Sequence, residues 1–232
     1  MAAQPSAASR STAFGYVCRR CSHCCRDKHI QLNPYEVARL ARMKGISTGQ
    51  FCARWTISGN GTALQQKNDG TCVFLGPHGC EVHNDRPLVC RLYPLGRHVR
   101  SDGFEFYTKH EGHPLSEGEF TECSTIADYL EAQGTKPYLV AQDGYFQWLC
   151  WAHEQVDLTL EAPNSKLRES GDDVDLLDMD SMIAKYCAAT NEPEPDNIDD
   201  RVQLHLKLLY DVVANLEVKH VKGSSETCED AA

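Results

Sequence analysis

Residues 18–25, CRRCSHCC, put Cys18, Cys21, Cys24 and Cys25 within eight positions. Neighbouring Cys24 and Cys25 cannot both face one core, so packing does not explain the block. Three chemistries would: a disulfide framework, a redox dithiol, or a metal site. Two-residue spacing lets a tight turn aim two sulfurs and several backbone N–H groups at one centre. It occurs in zinc knuckles and in the three-cysteine run of bacterial ferredoxins, whose fourth ligand lies elsewhere in sequence. A second group, Cys72, Cys80 and Cys90, lies in a turn-rich stretch with little apolar material of its own. A bound metal would organise such a stretch. Cys123 follows GEFTE, just before an expected helix N-terminus, where a thiolate is electrostatically favoured.

The chain has 232 residues and 12 cysteines. At this length one or two domains form a core without staples. No apolar run approaches the roughly 20 residues of a membrane span. The N-terminal MAAQPSAASRSTAFGY has no apolar h-region of a secretory signal. It reads as a tail, with an organelle transit peptide as the alternative. A cytoplasmic, reducing location follows as the expectation, and there clustered cysteines mean metal binding or catalysis rather than disulfides. Charge is uneven: residues 18–100 carry 13 Lys/Arg against 5 Asp/Glu, and residues 101–232 carry 9 against 28. Metal-bound thiolates bring negative charge that nearby arginines would stabilise. A nucleic-acid surface is discounted, because the aromatic interleaving of a stacking platform is missing. The acidic C-terminal half could instead dock onto the basic half.

The elements that must position the sulfurs are legible in part. In LNPYEVARLARMKGIS, Asn33 reads as an N-cap, Pro34 as the first helical residue and Glu36 as the capping-box partner; Gly45 ends the helix. A short helix at Gly49–Trp55 follows. Asn-Gly, Asp-Gly and Gly-Pro then punctuate short strands and turns through Pro94, with one helical turn from Pro87 to Arg91. GRHVRSDGFEFYTK alternates around Asp-Gly and predicts a hairpin. Helices are expected at Thr125–Gln133, Pro137–Gln155, Asp180–Ala189 and Ile198–Val218. The last has Ile198, Val202, Leu206, Leu209, Val213 and Leu216 on one face.

The order of motifs resembles the YkgJ-type CxxCxxCC cysteine-cluster family, described as a zinc- or iron-chelating domain. Cys18, Cys21, Cys24 and Cys25 match its first block; Cys72, Phe74 and Leu75 the second; Gly79, Cys80, Val82 and His83 the third. Arg86, Pro87, Cys90, Arg91, Tyr93 and Pro94 match the rest, and Cys123 stands where relatives often carry a further cysteine. The resemblance covers about residues 16–125. Ser22 stands where relatives often have Gly, and Ser124 and Thr125 where they often have Pro-Gly. The resemblance implies a metal without implying a reaction. A related domain occurs in flagellin lysine N-methylases, but no adenosylmethionine-binding glycine turn is present here.

The candidate ligands are therefore Cys18, Cys21, Cys24, Cys25, Cys72, Cys80, Cys90 and Cys123. A single site would draw on Cys18, Cys21, one of Cys24 and Cys25, and Cys90. Both zinc and an iron–sulfur cluster accept four thiolates; the ferredoxin-like spacing favours the cluster. His83 reads as a packing or hydrogen-bonding residue, His23 as an exposed loop residue, and Arg86 and Arg91 as partners of thiolates, carboxylates or loop carbonyls. Cys52, Cys150 and Cys187 read as small buried residues on helices, Cys228 as incidental in a tail, and Trp148 and Trp151 as core. The acidic loop Asp172–Asp180 does not fit a calcium loop.

These readings combine into an α+β, mainly helical chain: an irregular cysteine-rich metal-binding domain with short strands, completed by C-terminal helices. The expected divisions are a disordered tail at 1–15, the cysteine-cluster domain at 16–125, a helical region packing on it at 126–220, and a second tail at 221–232. The expected function is to hold an iron–sulfur cluster or zinc in a structural or electron-transfer role, with no membrane partner and a protein partner the residues do not identify. A metal-dependent modification enzyme of the methylase type is the alternative, and a redox thiol protein a third.

Overall fold

The computed structural model describes residues 7–57, 62–156 and 176–225. The chain divides into two compact units, residues 1–140 and 141–232. The first unit therefore extends past the boundary expected at residue 125.

The first unit is built from short strands and capped helices. Strand β1 (Ala13–Val17) pairs antiparallel with β6 (Glu119–Thr125), in a register set by Tyr16↔Phe120 and Val17↔Glu119 with a bulge near Gly15. Ala8 bridges Tyr107. Residues 8–15, expected within a disordered tail, are thus ordered up to and into a strand; residues 1–6 lie outside the described residues. Helix α1 (Pro34–Lys44) has both halves of its capping box, and Gly45 closes it with φ 69°. That φ suits glycine, which has no Cβ to clash. Ser47 and Gln50 cap α2 (Thr48–Trp55) in the same way. Strands β2 (Leu75–Gly76) and β3 (Gly79–Cys80) form a two-residue ladder, and α3 (Leu88–Leu92) is a single turn after Pro87. The expected hairpin is β4 (Leu95–Val99) with β5 (Glu105–Lys109), in uninterrupted register. Thr125 then caps α4 (Ile126–Ala132).

The apolar centre of this unit is formed by Ile30, Leu32, Val37, Leu40, Ala41, Phe51, Leu64, Phe74 and Val82. Cys72, Cys80 and Cys90 pack against it. The turn-rich segment thus has a core after all, supplied by α1 and α2, and its cysteines lie along that core's edge.

Helix α5 (Lys136–Val156) carries the chain into the second unit, which continues with α6 (Met179–Thr190) and α7 (Ile198–Ser225). Arg201 on α7 pairs with Asp180 at 2.7 Å and Glu194 at 3.2 Å. The buried face of α7 includes Val202, His205, Leu208, Leu209 and Val213. His205 was missing from the expected stripe, because a polar residue breaks the apolar pattern. Burial is tolerable because its Nδ1 accepts from the Tyr145 hydroxyl at 2.9 Å and its Nε2–H donates to the Leu176 carbonyl at 3.2 Å. Trp148 is buried and Trp151 packs on Tyr210, ring centroids 4.8 Å apart, as core residues should. Of the acidic loop, residues 172–175 lie outside the described residues; Asp178 caps α6. Cys228 and the tail from residue 226 also lie outside them. The architecture is α+β with two-stranded sheets. Among the described residues no helix is long and apolar enough to cross a membrane.

Candidate metal centre

Backbone pairing begins to gather the cysteines before any side chain is considered. β1 delivers the chain to Cys18, and Cys24 and Cys25 sit on the 3₁₀ turn His23–Cys25. Beyond that turn Arg26 bridges Thr71, the Asp27 N–H donates to the Gly70 carbonyl at 2.9 Å, and the Cys72 N–H donates to the Cys25 carbonyl at 2.8 Å. The first and second cysteine groups are therefore adjacent by main-chain hydrogen bonding. Cys80 faces Leu75 across the β2–β3 ladder. Cys90 rides on α3, whose first N–H, at Leu88, donates to the buried Glu36 carboxylate at 2.6 Å. The same carboxylate accepts from the Asn33 N–H at 2.9 Å, so the capping residue of α1 also holds α3 in place.

The turn containing Cys18 and Cys21 uses left-handed backbone. Arg20 has φ 56° and Ser22 φ 65°. Ser22 thus stands at a position where glycine is the unstrained residue, the residue relatives often carry there. The Arg20 N–H points back at the Cys18 sulfur, 3.4 Å away.

Seven of the eight candidate cysteines line one cavity of about 150 Å³: Cys18, Cys21, Cys24, Cys25, Cys72, Cys80 and Cys90. Arg19, Arg20, Lys28 and Arg86 line it too, and among the described residues no Asp or Glu does. Cys123 is the exception: it is exposed on β6 and does not line the cavity. It lies in a strand two residues before the Thr125 N-cap, not at the helix terminus itself. Cys52 packs at the edge of the apolar core, Cys150 is half-buried on α5, and Cys187 is buried on α6.

The thiols influence one another. A hydrogen bond from the Cys25 thiol holds Cys24 down at about 6, with the Lys28 ammonium assisting; Cys25 is pushed up in return. Cys21 is lowered to about 7 by backbone hydrogen bonds at Glu117 and His23. Burial pushes Cys90 up, and the charges of Cys72, Cys80 and Cys24 push the same way. Burial raises Cys72 and Cys80 as well. Crowded thiols that resist ionisation are what a soft metal cation would relieve, since its charge would reverse each upward shift. Among the described residues no three Cys, His, Asp or Glu side chains already stand in an arrangement that could hold a metal ion. The sulfurs share a cavity without forming a closed coordination shell.

The surrounding polar residues are mostly scaffold. Arg91, buried, donates to the carbonyls of Arg86 at 3.0 Å, Gln133 at 2.9 Å and Asn84, and to the Tyr138 hydroxyl at 2.8 Å. Arg86 donates to the His83 carbonyl at 2.7 Å and the Gln133 side chain at 2.6 Å. Loop carbonyls are thus the partners of both arginines. His83 lines the cavity and lies 3.5 Å from the Arg86 guanidinium through Nδ1. His23 is half-buried rather than exposed: it stacks on His113, centroids 5.5 Å apart, and its buried Nδ1 has no hydrogen-bond partner among the described residues. Lys28 was not singled out by sequence reasoning, since an isolated lysine carries no spacing signal. It lines the cavity with its ammonium 3.8 Å from the Tyr93 ring centroid.

Residues 17–113 match the CxxCxxCC family, whose description is "putative zinc- or iron-chelating domain". The seven cysteines of the cavity all lie within the matched segment. No curated protein and no solved structure matches the chain.

Proposed function

We propose that this protein holds a polynuclear thiolate-bound metal centre, an iron–sulfur cluster in an electron-transfer or structural role. The observation that supports this reading is the cavity itself. Seven cysteines from separate segments line it, more than one tetrahedral ion uses, and four cationic side chains rather than carboxylates accompany them. Carboxylate-poor, sulfur-rich surroundings suit zinc or iron–sulfur chemistry and disfavour calcium or magnesium. Cys18, Cys21, Cys24, Cys25, Cys72, Cys80 and Cys90 would hold the group, with Cys123 outside the set. A cluster would supply one-electron chemistry at a potential tuned by hydrogen bonds to sulfur and by burial.

Anaerobic purification with metal and sulfide analysis tests this. Brown protein containing iron and acid-labile sulfide is expected, with both lost in Cys24→Ser and Cys90→Ser and retained in Cys123→Ser. Colourless protein with zinc would replace the cluster by a closed zinc site on the same cysteines. Metal-free protein with reversibly oxidised thiols would overturn metal binding altogether.

A further inference from the structure

Beside the thiol-lined cavity lies a second, half-open one of about 410 Å³. Its volume is at the lower end of the range for small-molecule sites, which is about 300–1,000 Å³. Lys28, Val89 and Tyr93 line both cavities and form the wall between them. Among the described residues no carboxylate lies within ion-pair distance of the Lys28 ammonium, although that side chain is only partly exposed. Its contact is with the Tyr93 ring. On the thiol-lined side its charge is compensated by the Cys24 thiol, which it helps to ionise, so a further anion would meet it from the second cavity.

The rest of the second cavity suits an anion with an apolar body. Val89, Leu95 and Tyr93 provide apolar wall. His113 also lines it; the Leu115 N–H donates to His113 Nδ1 at 3.1 Å, so in the neutral ring His113 carries its proton on Nε2, where it is a donor. His110 adds a second imidazole. Among the described residues Glu111 is the one carboxylate in the lining, and it is exposed.

We propose that this cavity is a binding site for a small organic carboxylate, whose charged end is taken by Lys28 at the wall shared with the thiol-lined cavity. The proposal goes beyond metal binding: it makes the centre one that a small anionic molecule approaches. The lysine holds the carboxylate, and Tyr93 and Leu95 cover its apolar part.

Benzoate is the probe, titrated by calorimetry into the full-length protein as purified without oxygen, with metal content measured on every sample. Wild-type protein is expected to bind benzoate at millimolar concentration, and inorganic phosphate, which lacks an apolar body, more weakly. Lys28→Met should weaken benzoate binding about tenfold or more, a loss of about 1.4 kcal/mol, when samples of matched metal content are compared; Lys28→Arg, which keeps the cation beside the thiols, should keep most of the affinity. No benzoate binding by wild-type protein, or equal binding by Lys28→Met, would overturn the site. Failure of the metal reading is separable: metal-free protein that still binds benzoate through Lys28 supports this site and not that centre.

Discussion

Arg91 sits one residue after Cys90, and the cost of altering it follows from its hydrogen bonds. Its guanidinium donates to three backbone carbonyls and one hydroxyl, which belong to the 83–87 loop, the end of α4 and the start of α5. Arg91→Lys keeps the charge and loses the planar fork. One ammonium cannot reach carbonyls that a fork addresses from several sides, so about two of the bonds are lost. Charge-assisted bonds contribute about 1.5–3 kcal/mol each. With partial relaxation the expected destabilisation is about 3 kcal/mol, or about 6–12 °C in Tm at about 2–4 °C per kcal/mol for a unit of this size. Thermal unfolding of the anaerobic protein, followed by far-ultraviolet circular dichroism, measures it. A loss under about 0.5 kcal/mol, the level of an ordinary surface substitution, would refute the claim that these carbonyls depend on the fork. The same variant should hold its metal less firmly, because Cys90 and Arg91 share the single turn of α3.

Three further outcomes are expected. Ser22→Gly relieves a left-handed residue at φ 65° and should stabilise the protein by about 0.5–1 kcal/mol in denaturant titration; a destabilised variant would mean that the serine is held there by something more than the turn. Burial pushes the Glu105 carboxyl up, but hydrogen bonds from Arg10, Arg97 and Tyr107 override it and hold it at about 2. A depressed carboxylate stabilises above its unfolded value of about 4.3 and loses that contribution as pH falls towards its folded value. Glu105→Gln should therefore be less stable at neutral pH, with the difference from wild type vanishing in acid; a gap independent of pH would refute this. Burial lowers His205 to about 4, so its contribution is present above about 6.5 and lost as pH falls towards the folded value. Tyr145→Phe removes the donor to His205 Nδ1 and should cost about 1–2 kcal/mol at neutral pH; unchanged stability on chemical unfolding would show the bond to be dispensable.

Much of the helical content was legible because its signals are local. Asn33, Pro34, Glu36 and Gly45 mark the ends of α1 through bonds that span four residues or fewer. The Asp-Gly turn between β4 and β5 is of the same kind. The β1–β6 pairing was not legible: its partners stand about a hundred positions apart, and neither strand alternates clearly enough to declare itself. His205 escaped because period-counting treats a polar residue as outward, whereas two hydrogen bonds make its burial tolerable.

Sequence by itself determined the sulfur chemistry. Thiol-rich blocks at these spacings, in a stretch poor in carboxylates, offer soft sulfur donors whatever the backbone does around them. Only tertiary structure decided which sulfurs face one another, leaving Cys123 on an exposed strand while seven others share a cavity. Spacing constrains the few residues of a turn, but the meeting of Cys25 with Cys72, or of Lys28 with Tyr93, depends on pairings between distant segments and on a core that brings them together.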